Sequence, residues 1–132
     1  MVFTGRAIIE VVGHPEDHVN EISKKVLENL KKENGITVVK EELANAELIK
    51  ENIFASNLEV ELKFFDLSKL LNFCYEYLPS DIQIIDTEKV VLSVNEMNNG
   101  LGEMIRRLHS LNLMLHNLNE SNKELKDSKE NK

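Results

Sequence analysis

Two periods of apolar and polar residues alternate along this chain. From Arg6 to Val12 the period is two, with Ala7, Ile9 and Val11 on one face of a strand and Arg6, Ile8, Glu10 and Val12 on the other. Apolar residues on both faces predict a central strand. Gly13-His14-Pro15 ends it, and Pro15 suits the first position of a helix, where a missing N–H costs little. The period then becomes helical. Val19, Ile22, Val26, Leu27 and Leu30 form one stripe between Pro15 and Glu33. Glu16 and Asp17 at its start and Lys31 and Lys32 at its end complement the helix dipole, and Gly35 is a stop signal.

Ile36 to Leu43 reads as a second strand, and residues 44–53 as a connection. Phe54 to Phe64 is the third strand, with Leu58, Val60, Leu62 and Phe64 alternating against Glu59, Glu61 and Lys63. Asp66 is a suitable N-cap for a second helix. Its predicted buried face is Leu67, Leu70, Leu71, Cys74 and Leu78, and Pro79 ends it. Asp81 to Ile85 is a fourth strand with Ile82 and Ile84 inward, and Val90 to Leu92 a short fifth.

The resulting order is β-α-β-β-α-β. Each β-α-β half favours a right-handed crossover, and the compact solution is a four-stranded antiparallel sheet with both helices on one face. Residues 6–85 therefore resemble a ferredoxin-like domain, in element order and pattern rather than in a motif. ACT domains and RNA-recognition motifs share that order, so the resemblance implies an α+β sandwich without implying an activity. The expected organisation is a ferredoxin-like α+β head over residues 1–92, a C-terminal amphipathic, coiled-coil helix over 93–125 and a disordered tail over 126–132.

The C-terminal helix carries the strongest pattern. Ser93-Val94-Asn95-Glu96 has capping-box spacing. Val94, Met97, Leu101, Met104, Leu108, Leu111, Leu115, Leu118, Asn122 and Leu125 then follow in steps of three and four, the seam of a coiled coil. With Val94 at position a, Asn122 is also an a residue, where a buried amide can set register. The e and g positions are almost uncharged, and Ile105 and Met114 widen the stripe, as in a helix with more than one neighbour. Gly100 and Gly102 each cost about 1 kcal/mol relative to Ala in a helix interior, which points to a close backbone approach or a bend. Two placements fit: pairing between chains, with two, three or four copies open, or folding back over the open sheet face that shows Ile8 and Val12. At ~1.5 Å per residue the helix is longer than a small domain, which favours the first.

Composition narrows the function class. The 132 residues carry 23 acids and 16 bases, a net charge of -7, all of it on residues 1–92; residues 93–132 are neutral overall. Such a head repels polyanions. The outward strand positions also lack the stacking aromatics of an RNA-recognition sheet, so no nucleic-acid partner is expected. One cysteine, Cys74, excludes an intrachain disulfide and suits a reducing compartment. No secretory signal and no apolar run of ~18 residues is present, so a cytoplasmic protein without a membrane partner is expected.

Candidate chemistry is sparse. His14 and His18 stand four apart at the start of the first helix, a spacing that can share a metal, although no third ligand is fixed. Gly13 and His14 form a turn before a helix N-terminus, which can hold an anion. In ACT-like domains small ligands often lie near this loop, so the resemblance implies a ligand site at Gly13, His14 and His18. The plainer reading is a tight turn with two solvated histidines. Cys74 lies on an apolar helix face and reads as a core residue. His109 and His116 are two turns apart, too far to chelate one ion. No dinucleotide, phosphate-loop, paired-cysteine or hydrolase motif occurs. The sequence thus leads to a non-enzymatic module without a cofactor, self-associating through its C-terminal helix, with an assembly, scaffolding or regulatory protein-binding role. The alternative is a small-molecule or metal sensor at the start of the first helix.

Overall fold

A computed structural model describes residues 2–130, with side chains described for residues 2–123. The elements are β1 (Phe3–Gly13), α1 (Glu16–Lys32), β2 (Ile36–Leu43), β3 (Glu47–Lys50), β4 (Ile53–Phe64), α2 (Leu67–Tyr77), β5 (Asp81–Ile84) and α3 (Val94–Glu130). The fold is mixed, an antiparallel sheet of five strands with three helices. Strands β2, β4, β1 and β5 lie side by side in that order, and β3 also pairs with β4. All pairings are antiparallel.

The two faces of the sheet differ as their period of two dictates. Phe3, Ala7 and Ile9 of β1 and Leu58, Val60, Leu62 and Phe64 of β4 point to one face and are buried. Leu27 and Leu30 of α1 and Phe73 of α2 close over them, so both helices cover the same side. On the opposite face Arg6 lies between Glu59 and Glu61, at 3.7 and 3.6 Å, and stays in contact with solvent. The aromatic rings form a chain through the core: Phe3 to Phe64 (6.1 Å between centroids), Phe64 to Phe73 (5.6 Å) and Phe73 to Tyr77 (5.4 Å).

Several expectations are corrected. The connection expected over residues 44–53 contains β3, which pairs Glu47 with Ala55 and Leu48 with Phe54. Between β2 and β3 the chain stays attached to β4: Ala44 N–H donates to Asn57 O (3.0 Å) and Ser56 Oγ donates to Ala44 O (2.7 Å). The Asn20 side chain accepts from Ala46 N–H at 2.7 Å, which ties the bend to α1. Asn52, with φ of 58°, makes the turn into β4, a left-handed conformation that Asn tolerates. A bulge between Val38 and Lys40 lets β2 follow the twist of β4. Residues 90–92 form no strand. After β5 the backbone holds to β1 through Ile85 N–H to Thr4 O (3.0 Å) and Thr4 N–H to Asp86 Oδ1 (3.0 Å), then runs on to α3.

The buried face of α2 matches the expected one at Leu70 and Cys74 only. Phe73 is its fully buried residue, and Leu70, Cys74 and Tyr77 join it against the sheet. Leu78 is exposed at the C-cap, in a left-handed conformation with φ of 46°. Leu67 and Leu71 turn instead toward α3. The helix is apolar on two sides because it lies between the sheet and α3, and a single-stripe reading merges the two. Asp66 caps α2 as expected, accepting from Lys69 N–H at 2.9 Å.

Candidate functional site

α3 starts where the capping residues place it. Ser93 Oγ accepts from Glu96 N–H at 3.1 Å, and Ser93 O accepts from Met97 N–H at 3.1 Å. The helix then lies along the outer side of α2 rather than over the open face of the sheet. Gly100 is the point of closest approach. It is buried, and a Cβ there would come 2.6 Å from Leu67 Cδ2 and 3.4 Å from Leu71 Cδ1. Its missing side chain is what lets α2 and α3 touch, whereas Gly102 meets no neighbour.

Arg107, one heptad further, fastens the same edge. Its Nη2 donates to Asn72 Oδ1 and to Glu76 Oε1, each at 3.2 Å, and the guanidinium lies over the Tyr75 ring, 5.9 Å from its centroid. Gly100 and Arg107, which touch α2, are both g positions in the heptad frame, and Glu96 and Glu103 at c positions are half-buried. The head therefore takes one flank of α3 and leaves most of the a/d seam uncovered.

Apart from Met104, which is half-buried, the seam is exposed over residues 94–122. From Leu108 to Lys123 every residue is exposed. Leu108, Leu111, Leu115 and Leu118 are 49%, 50%, 59% and 56% exposed, and Val94, Met97, Leu101, Ile105 and Met114 are also open. Asn122 is exposed on the same line. The side chain of Leu125 lies outside the described residues. The backbone of α3 stays helical to Glu130, beyond the boundary expected near residue 125, and residues 131–132 of the expected tail lie outside the described part. Residues 108–130 project roughly 34 Å past the contacts with α2.

The other candidates sit apart from this surface. His14 and His18 are both exposed at the start of α1, and among the described residues no three His, Cys, Asp or Glu side chains gather to hold a metal. Gly13 packs beside Val19. Cys74 is half-buried against the core, and burial pushes its thiol pKa up, away from a reactive thiolate. His109 and His116 are exposed on α3, and His116 Nε2 lies 3.2 Å from Glu120 Oε1. An open cleft of about 570 Å³ lies between α1 and α2, over Ile9 and Val26. There Tyr77 donates to Glu33 Oε1 at 3.0 Å, and burial together with that carboxylate pushes the phenol pKa well up, so it remains a donor. No helix among the described residues is long and apolar enough to cross a membrane.

A mixed α/β head with a long, half-docked helix is the class this architecture defines. The chain belongs to the MJ0538 family, whose pattern matches residues 5–132, from within β1 through α3. No curated protein and no solved structure matches it.

Proposed function

We propose that this protein is a non-enzymatic, self-associating module of the cytoplasm, with a ferredoxin-like head that α3 joins to further copies as a coiled coil. Its role is then assembly, scaffolding or the regulated binding of a protein partner. For the head, support comes from the strand order β2-β4-β1-β5, the antiparallel neighbours and the two helices on one face, with β2 and β3 acting as one bent second strand.

For self-association, one observation carries the reading: the seam from Leu108 to Leu118 is exposed while the core of the head is already closed. A second copy suits this surface for three reasons. A heptad stripe is complementary to itself. Residues 93–132 carry no net charge, so two α3 helices do not repel one another. The nine open apolar side chains at a, d, e and g positions from Val94 to Leu118 reach the scale of a standard interface, on the order of 800 Å² per partner.

The test is molar mass by light scattering. The wild type should show a multiple of 15.2 kDa at micromolar concentration. Leu111→Glu with Leu115→Glu should give the monomer and leave the thermal transition of the head in place, because both side chains lie beyond α2. A concentration-independent monomer mass for the wild type overturns the proposal.

A further inference from the structure

We infer that the second copy lies parallel and in register, and that α2 of each chain joins the pair, so that two α2 and two α3 helices pack as a four-helix neck with both heads at one end. This inference rests on the self-association proposed above and adds its direction, its number and the part played by the head.

The argument starts from the edge that α2 occupies. α2 lies on the g side of α3, and its side-chain contacts run from Gly100 to Arg107. In a parallel pair the g edge of one helix faces the e edge of the other. α2 is thereby brought beside the e edge of the second copy over the same stretch. The e residue within that stretch is Ile105, and it is exposed. The e residues outside it are Asn98, Asn112 and Asn119. The edge is apolar at the level of α2 and polar above and below it. Ile105 would then enter the groove that Leu67 and Leu71 of the other chain form with its α3. Pairing in the opposite direction faces e with e and sets Ile105 against Asn112, away from any α2.

Asn122 gives the same direction independently. In register, it meets its own copy across the seam, and two amides can donate and accept between them. In the antiparallel alignment that opposes Val94 to Leu125, Asn122 faces Met97, whose thioether is only a weak acceptor. The parallel arrangement also accounts for the loss of Arg107 from the seam flank. Its guanidinium is held by Asn72, Glu76 and Tyr75 of its own head, so this edge carries a docked helix instead of an interchain ion pair.

The test uses full-length chains in which Cys74→Ser removes the native thiol. One chain carries Asn122→Cys and another carries Met97→Cys. After air oxidation, the Asn122→Cys chain and the Met97→Cys chain, each by itself, should convert to a disulfide-linked species of twice the chain mass, because a and d residues both meet their own copies in register, and a mixture should show no link between unlike chains. Links only between unlike chains overturn the parallel direction, as does the absence of any link in protein that light scattering finds dimeric. A linked trimer or tetramer mass by light scattering overturns the number. In the otherwise native chain, Ile105→Asn should weaken dimerisation about tenfold or more, while Asn112→Ser leaves it within about twofold. Equal affinity for Ile105→Asn and the wild type overturns the part played by α2. A monomeric wild type instead removes the self-association reading itself, so the two failures are distinct.

Discussion

Leu62 of β4 and Leu115 of α3 are the same side chain in opposite circumstances: the first is 0% exposed and the second 59%. In the head, the inward positions Phe3, Ala7 and Ile9 of β1 and Leu58, Val60, Leu62 and Phe64 of β4 are met by other elements of the same chain, while Val12 on the other face stays exposed. On α3 a seam just as regular finds no element to meet it, since the neighbouring helix, α2, covers a different edge and ends near the level of Arg107. The difference teaches that periodicity specifies which face needs cover, while chain topology decides whether the cover comes from the same molecule. For the head the answer is internal. For α3 the unmet face is the basis of the proposed assembly.

The contrast can be broken from the head side with Phe73→Ala. Phe73 is 1% exposed and packs on Phe64 and Tyr77, so its loss should cost about 3–5 kcal/mol of head stability. Denaturant melts followed by a probe in the head should show the shift, and a change below about 1 kcal/mol would mean that the sheet and helices are not packed as described. A smaller effect is expected at Asp86, whose carboxylate accepts from Thr4 N–H and is thereby held below the usual carboxyl range. A carboxyl lowered on folding stabilises above its unfolded pKa, about 3.9, and that contribution is lost as pH falls through the folded value. The stability difference between wild type and Asp86→Asn should be present near pH 6 and vanish on acidification; a difference independent of pH would contradict the assignment. The smallest effect on the head is expected from removing residues 108–132. Residues 108–123 are all exposed, so the head should keep its cooperative transition within a few degrees while assembly is lost. A truncated chain without a cooperative melt would show that the helix completes the head.

Much of the head was legible in its sequence. Leu58, Val60, Leu62 and Phe64 show their inward face by alternation alone, and Asp66 and Ser93 mark helix starts because their side chains satisfy otherwise open N–H groups. What escaped has physical reasons. β3 (Glu-Leu-Ile-Lys) is exposed at all its positions and is held by backbone bonds to β4, so no burial period announces it. Val90, Val91 and Leu92 have strand-like composition but no strand beside them to pair with. Phe73 was missed because the leucines that face α3 joined those that face the sheet in one broad stripe. For the candidate surface, the seam itself was readable, and Gly100 did signal a close approach. That Leu67 of α2 fills the space depends on where two distant segments meet, which periodicity within either one does not encode.

The fastening of α3 by Gly100 and Arg107 also has a mechanical consequence. The two contacts lie about 10 Å apart along the axis, and the rod continues roughly 34 Å beyond the second. Measured from Gly100, those lengths make a lever with a gain of about four. A sideways shift of ~1 Å at Arg107, the size of a side-chain adjustment at Tyr75 or Glu76, swings the far end by roughly 4 Å relative to the pivot at Gly100. Small changes in the head would thus be read out, enlarged, at the tip of α3.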